Sequence, residues 1–440
     1  MLQEKNNKKF SFYIGLLLVM LGLQGAVTLF ARLIPEIPYI KKIQTYLLIG
    51  SIAIILGYIV FWCISHHINK GIRYAMAHAK MVRSIRNALI DAEYGYTKQY
   101  FNGEPVIVLP KIKVEFEPDL TQGTVYIQNN FRIQNKLEDR NISSALGKYV
   151  VEQQYRTDDE NWNVWEFVDS KANNQLVFHS YEEFVSYSKG IGDYKLFMDK
   201  KNIVPLSSLL LTGTTGSGKT YALYGLVFQC LNWNIKPKFY FADPKASSLS
   251  VFGKRIAPER TAESVEDIIR LLEEFCAQME LRKKEIQDKL EQKLDSDYRD
   301  FKLPAYIFVI DEFASFQSSV NTMDKQTRDK VAMMLRVLVL QSRQLGFAMW
   351  YVSQKSDGTD LPTNIRDNLI WKCVLGQAPR TTYQTTFEET ADLPKRKFRP
   401  GEGLYTYQGL TRQAQIVSFP TLQFDINEAV KLYDTGTPVL

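Results

Sequence analysis

Cysteine and histidine are scarce in this 440-residue chain, four of each, and neither falls into a pattern that chemistry uses. Cys63, Cys230, Cys276 and Cys373 have neither metal-binding nor redox spacing. That excludes a disulfide framework and a zinc module, and leaves them as reduced packing residues. His66, His67 and His78 lack the spacing and the acidic company of a metal site, and His179 stands alone. There is no internal repeat, low-complexity tract or disordered tail. An excess of one charge sign is also missing: a net +6 permits a nucleic-acid partner without arguing for one. Charge is absent altogether from Phe10–Ala31 and Ile43–Ser65. Each run is long enough to cross a hydrocarbon core of roughly 30 Å. A signal peptide would show a shorter apolar core and a small-residue cleavage site, and neither is present. The expectation is a two-helix transmembrane hairpin over residues 1–66.

Charge around the hairpin orients it. Lys5, Lys8 and Lys9 precede the first run, while Arg32, Lys41 and Lys42 occupy the connection. The stretch after the second run decides: Lys70, Arg73, Lys80, Arg83 and Arg86 come before any acidic residue. Positive-inside bias places that side, and both termini, in the cytoplasm, with the Pro35/Pro38 connection outside. A helix from His66 toward Ala92 carries these charges, in a juxtamembrane segment set at 67–96. It has two readings, attraction to anionic headgroups or an ordinary solvated stalk.

The densest chemical signal is Gly213-Thr214-Thr215-Gly216-Ser217-Gly218-Lys219-Thr220. It follows the strand-like Leu206–Leu211 and opens the helix-like Tyr221–Leu231, the context that a G-x-x-x-x-G-K-[ST] phosphate loop requires. Glycines let backbone N–H groups turn around phosphate oxygens, and the helix start adds its positive dipole end. Lys219 is placed for the β- and γ-phosphates, and Thr220 for Mg²⁺. Downstream, the unbroken apolar run Ala305–Ile310 reads as a strand buried on both faces and ends in Asp311-Glu312. Asp311 suits Mg²⁺ support and Glu312 suits activation of a water. The competing reading is that the two merely cap the next helix. ATP and Mg²⁺ are the expected cofactors, and ATP hydrolysis the expected reaction.

Residues 97–200 read as a small α+β adapter. Short strands are expected near Val106–Leu109, Lys111–Phe116, Thr124–Asn129 and Trp165–Val168, and a helix over Ile142–Gln154. From 201 to 440, strand-like runs alternate with helical ones, including a long charged helix over Ala262–Leu294. That alternation predicts an α/β domain with a mostly parallel sheet, and the phosphate loop within it makes the expected fold a P-loop NTPase motor of RecA-like (ASCE) type.

Neither a Leu-Ser-Gly-Gly-Gln signature nor an Asn-Lys-x-Asp guanine reader is present. Instead the chain has Phe241-Ala242-Asp243-Pro244-Lys245, then Val309-Ile310-Asp311-Glu312-Phe313-Ala314. Gln341-Ser342-Arg343-Gln344-Leu345-Gly346-Phe347, Val352-Ser353-Gln354-Lys355 and Ile365-Arg366-Asp367 follow. Over roughly Leu206–Ser418 this series resembles the FtsK/SpoIIIE family of DNA translocases, and most the TcpA-like coupling proteins of conjugative plasmids and transposons. The resemblance implies a homo-hexameric ring in the bacterial cell membrane that hydrolyses ATP and moves DNA. A relaxase or other DNA-processing protein, and secretion-channel proteins, are the implied partners. Gln354 is implied to sense the γ-phosphate; its motif reads Gln-Lys-Ser here where the family usually has Gln-Arg-Pro. Arg343 and Arg366 are candidates for a finger reaching a neighbouring subunit, or for structural ion pairs. Lys245 stands either near nucleotide or at the sheet edge. Lys355, Lys395, Arg396 and Lys397 are the expected DNA contacts, or else a solvated basic loop. After Phe419 about twenty residues remain, too few for a winged-helix reader, so substrate choice is expected to come from a partner. The alternatives are a segregation pump and a protein-export ATPase without its own DNA grip.

Overall fold

The computed structural model describes residues 3–4, 8–33, 39–92, 94–98, 106–129, 142–172, 174–291, 293–354, 361–388 and 397–434. The chain divides into two compact units, Met1–Ala172 and Asn173–Leu440.

In the first unit, helices Lys8–Leu33 and Ile40–Ser65 pair through Tyr13, whose ring lies 5.8 Å from Tyr58 and 6.1 Å from Phe61. Gln44 also donates to Thr28 Oγ1 at 3.3 Å. Among the described residues one helix, Lys41–Ser65, is long and apolar enough to cross a membrane; the apolar part of its partner is the shorter Tyr13–Leu29. The expected hairpin is thus represented by one full-length apolar helix and a shorter companion. The Pro35/Pro38 connection lies outside the described residues. The basic helix starts later than its charge pattern suggests. His67 (φ 57°) and Gly71 (φ 105°) are both left-handed and flank the 3₁₀ turn Ile68–Lys70, so the helix runs Ile72–Asp91. Tyr74, Met81, Ile85 and Leu89 are buried, whereas Arg73, Lys80 and Arg83 are exposed. The buried face shares a core with Val114, Phe116, Val125, Ile127, Trp165 and Phe167 of an antiparallel sheet. Its strand order is Ile112–Phe116, Gln122–Gln128, Trp162–Asp169, Tyr149–Arg156. The helix expected over Ile142–Gln154 is not formed. A 3₁₀ turn at Ser143–Ala145 leads to Gly147 (φ 69°), and the chain then enters the edge strand Tyr149–Arg156. Adjacent Val150 and Val151 favour a pleated surface, and pairing with Trp162–Asp169 outweighs local helical spacing.

The second unit is built on eight strands. They are β1 (Leu209–Gly213), β2 (Lys238–Ala242), β3 (Thr261–Ala262), β4 (Tyr306–Ile310), β5 (Phe347–Ser353), β6 (Trp371–Leu375), β7 (Glu402–Tyr407) and β8 (Gln415–Ser418). The sheet order is β3-β2-β4-β5-β1-β6-β7-β8, parallel from β3 to β6 and antiparallel at β6–β7–β8. This is the mixed sheet of a P-loop NTPase, with β5 inserted between the phosphate-loop strand β1 and the Asp-Glu strand β4. Helices packed around it include α1 (Lys219–Leu231), α2 (Ser248–Ile256), α3 (Val265–Leu290), α4 (Phe313–Asn321) and α5 (Lys325–Leu345). Strands β1, β4, β5 and β6 are buried at every position, as a sheet covered on both faces demands. Residues 174–200, placed with the adapter by composition, join this core instead: Phe178, Phe184, Leu196 and Phe197 cluster with Leu209 and Phe228. Ser180 caps their helix, Tyr181–Ile191, by accepting from the Glu183 N–H.

One buried arginine ties the sheet's amino-terminal edge to α3. Arg282, 5% exposed, donates to the Leu345 and Pro304 carbonyls at 3.1 Å each and to Glu285 at 3.0 Å. Its guanidinium also lies 5.2 Å from the Tyr306 ring centre. Arg282→Met orphans two buried carbonyls, so we expect a loss of about 2–4 kcal/mol in urea unfolding monitored by tryptophan fluorescence.

Candidate functional site

The parallel strands end level with one another. Ala242 pairs with Ile310, Ile310 with Tyr351, and Thr212 with Ser353. The residues just beyond these pairs, Asp243, Asp311, Gly213 and Gln354, therefore share the carboxyl edge of the sheet. That is where ligands bind in open α/β folds.

The phosphate loop is held open by glycine. Gly213 (φ 151°), Gly216 (φ 79°) and Gly218 (φ 95°) all have positive φ. A Cβ on Gly218 would come within 2.6 Å of the Gly401 nitrogen, and one on Gly213 within 2.5 Å of the Leu375 carbonyl. Gly401 N–H donates to the Ser217 carbonyl at 2.8 Å, which fastens the approach to β7 onto the loop. Lys219 Nζ donates to the Gly213 and Thr214 carbonyls at 2.5 and 3.1 Å. Burial holds its ammonium below the ordinary value, against the attraction of Asp311 and Glu312. A cavity of ≈ 560 Å³ opens over the loop, lined by Thr215 to Tyr221 on one side and by Asp311, Glu312 and Gln354 on the other.

Asp311 is mostly buried. Desolvation first, then the like charges of Asp243 and Glu312, push its carboxyl up to about 6, while the Glu312 N–H and Lys219 oppose the shift. Glu312 stands at the N-cap position of α4 with φ 48°, but its side chain makes no capping hydrogen bond. Instead Oε2 lies 3.4 Å from Lys245 Nζ and accepts from Gln354 Nε2 at 3.3 Å. Lys245 thus meets the carboxylate expected to activate water and does not stabilise the sheet edge. It is carried there by Asp243, which is fully buried and accepts from Lys245 N, Ser247 N, Ser247 Oγ and Ser250 N at 2.7–3.2 Å.

Thr220 and Asp311 face one cavity, with the Asp243 and Glu312 carboxylates beside Asp311. The Ser217 hydroxyl, also in the loop, has no hydrogen-bond partner among the described residues. A hydroxyl, a carboxylate and a ring of loop N–H groups form the donor set that magnesium and a polyphosphate require. The residues present fit the expected Mg²⁺–ATP.

Residues 180–347 match the FtsK/SpoIIIE family model. The matched region belongs to the FtsK/SpoIIIE family. It is a P-loop ATPase domain. A stretch of 199 residues is 25% identical to the FtsK domain-containing protein YdcQ of Bacillus subtilis (strain 168), covering 45% of this chain and 40% of that protein. The chain thus spans two fifths of this curated relative's length. Among solved structures it is similar to the pCW3 conjugation coupling protein TcpA in monomer form with ATPγS. That match has 16% identity, 80% and 99% of the two chains covered, and a TM-score of 0.49. EssC ATPases 2 and 3 from Geobacillus thermodenitrificans match at 17% identity, with 53% and 45% covered and a TM-score of 0.39.

Other sequence candidates lie away from the FtsK/SpoIIIE domain's cleft. Arg343 is exposed in the last turn of α5, at the end of β5 opposite Gln354, and lines a separate concavity of ≈ 810 Å³. Arg366, 8% exposed, donates twice to Asp367 at 3.2 Å, the geometry of a structural ion pair. Lys397 is exposed, whereas Lys355, Lys395 and Arg396 lie outside the described residues. Sequence reading assigned no role to Asp243 or to Pro400-Gly401. An aspartate closing a strand and followed by Pro-Lys and then Ala-Ser-Ser was the available signal for the first; nothing local marked the second.

Asp311 sets a pH dependence. Its folded value lies above the ordinary 3.8. The ligand-free fold therefore holds this proton, and its stability falls as pH rises from about 4 through about 6. Magnesium–nucleotide binding needs the ionised form, so affinity should drop about tenfold per pH unit below about 6. Calorimetry in buffers of different ionisation enthalpy should detect proton release near pH 5.5, and Asp311→Asn should abolish it.

Proposed function

We propose that this chain is a membrane-anchored, ATP-driven DNA translocase that acts as a coupling protein in conjugative transfer. It hydrolyses ATP in a hexameric ring and moves DNA toward a secretion channel. The observation that carries the hydrolytic part is the Glu312 carboxylate, free of any capping role and held by Lys245 and Gln354 over the phosphate loop. The FtsK/SpoIIIE match supports the motor class, and the apolar helix Lys41–Ser65 supports a membrane anchor. Strand Gln3–Glu4 pairs with Val106–Ile107, so the chain's start and the adapter share one side of the helix pair. In this reading the helix pair spans the membrane twice and the motor is cytoplasmic.

In this reading Lys219 leaves its two loop carbonyls for the β- and γ-phosphate oxygens. Thr220 and Asp311 are the residues that would hold magnesium, which when bound would supply positive charge to the phosphoryl oxygens. Glu312 takes the proton of the water that attacks the γ-phosphorus. Lys245 holds that carboxylate in place, and Gln354 offers its amide to the γ-phosphate and to Glu312 in turn. ADP and inorganic phosphate are released. DNA is gripped through its phosphates, because a motor that passes every sequence cannot depend on base contacts.

The test is ATP turnover by the detergent-purified full chain with duplex DNA, single-stranded DNA or neither. Turnover should rise with DNA; a motor for protein export would not respond. Lys219→Ala should lose nucleotide binding. Glu312→Gln should bind ATP with turnover reduced by about 100-fold or more. Near-normal turnover by Glu312→Gln would sink the assignment. DNA affinity should fall steeply with salt for every sequence, and replacing Lys395, Arg396 and Lys397 by Ala should flatten that slope.

A further inference from the structure

ATP hydrolysis leaves the basic helix Ile72–Asp91 without a role, and its two faces differ sharply. Tyr74, Met81, Ile85 and Leu89 pack on the adapter sheet, where the Tyr74 hydroxyl accepts from the Phe116 N–H at 3.2 Å. On the opposite side Ile72, Met76, Lys80, Arg83 and Asn87 follow one another at steps of three or four residues, the spacing of a single helix face. All five are exposed, and so is Arg73 at their border. Ile72 is 66% and Met76 55% exposed, which a solvated stalk does not call for. They continue a series that starts on the apolar helix Lys41–Ser65: Ile64, Ile68, Ile72 and Met76 recur every four residues, and each is exposed. Charge takes over where this series ends. Lys70 and Arg73 flank it, Lys80 and Arg83 follow it, and no acidic residue occurs between Ser65 and Asp91. The helix is also held beside the end of the apolar one. His66, the residue after Ser65, has its Nδ1 2.9 Å from Nδ1 of His78, and the His67 and His78 rings lie 5.4 Å apart.

We infer that the exposed face of Ile72–Asp91 binds anionic phospholipid headgroups, with Ile68, Ile72 and Met76 at the acyl boundary and Lys70, Arg73, Lys80 and Arg83 on the lipid phosphates. An interfacial amphipathic helix combines these two elements, apolar side chains at the boundary and cations on the polar side. Each lysine or arginine near an anionic surface strengthens attachment about fivefold. That attraction fades beyond about 8 Å at physiological salt, so it acts only on charges kept close to the bilayer. The His66–His78 contact keeps them close, because Lys80 stands within a turn of His78. Duplex DNA offers the same phosphates, but it has no apolar layer for Ile72 and Met76. The opposite face carries the adapter sheet, so headgroups bound here clamp the adapter to the membrane surface. The inference rests on the reading above that Lys41–Ser65 lies in the membrane.

The experiment places the full chain in nanodiscs of phosphatidylcholine alone, or of phosphatidylcholine and phosphatidylglycerol in equal parts. Amide hydrogen exchange of residues 67–83 is read by mass spectrometry, with residues 265–290 of the ATPase unit as the control. Exchange over 67–83 should be at least about fivefold slower in the anionic discs. The control should exchange equally in both. The difference should vanish near 1 M salt, where the screening length is about 3 Å. Replacing Lys70, Arg73, Lys80 and Arg83 together by Gln should remove it, and Ile72→Ser with Met76→Ser should reduce it; all six positions are exposed, so the fold should tolerate both variants. Equal exchange of the wild type in the two discs would overturn the inference and leave the anchor standing. Slowing that persists in the Gln variant would also overturn it, since the cations would then have no part. An equal slowing in neutral discs on adding duplex DNA would overturn it in favour of a nucleic-acid face. A wild-type chain that enters neither disc would overturn the anchor reading and this inference with it.

Discussion

Asp243 is fully buried, and its carboxylate receives four hydrogen bonds from the turn that follows it. A buried carboxylate without donors costs several kcal/mol, and each charge-assisted bond returns roughly 1.5–3 kcal/mol. The turn is therefore bound to wrap around this group, and Ala246 accepts a left-handed φ of 49° to do so. Two results follow from the one constraint. Lys245 is delivered to Glu312, and the start of α2 is fixed through the Ser250 N–H. The polar wall of the cleft and the helix beside it are thus set by the same buried acid.

Electrostatics around the loop explain why the cleft is poised for a polyanion and its cation. Lys219 rests on two carbonyls that a phosphate would outbid. Asp311 sits near two other carboxylates in a desolvated corner, which raises its carboxyl to about 6 and leaves its ionised form in want of a nearby positive charge. Adding magnesium and phosphate together resolves both strains, while adding either alone resolves one. Such a site binds the complex more readily than its parts.

How much of this was legible in the residues follows from range. The phosphate loop and the Asp-Glu pair are local: a few consecutive residues carry both the backbone requirement and the chemistry. The strands of the ATPase unit were equally readable, because burial on both faces leaves uninterrupted apolar runs. Where partners come from afar, reading failed. Ile142–Gln154 has helical spacing, yet a neighbouring strand claims Tyr149–Arg156. The segment 174–200 reads like the adapter before it, but its aromatic residues find their core with Phe228. Gln354 was named as a sensor from its motif; that it shares Glu312 with Lys245 depends on three strand ends meeting, which no linear pattern records.

The seam between the phosphate loop and Gly401 has a mechanical consequence. Glu388 is fixed to Lys372 of β6 by a 2.7 Å ion pair, and Gly401 is fixed to Ser217 by a 2.8 Å hydrogen bond. The described chain from exposed Lys397 through Pro400 therefore leads straight to an anchor on the phosphate loop itself. Force applied at Lys397 has a short load path, through Pro400 and Gly401, onto the backbone that cradles phosphate. Because Gly218 packs directly against Gly401, there is little slack to absorb a pull. A pull on Lys397 would therefore bear on the shape of the phosphate cradle.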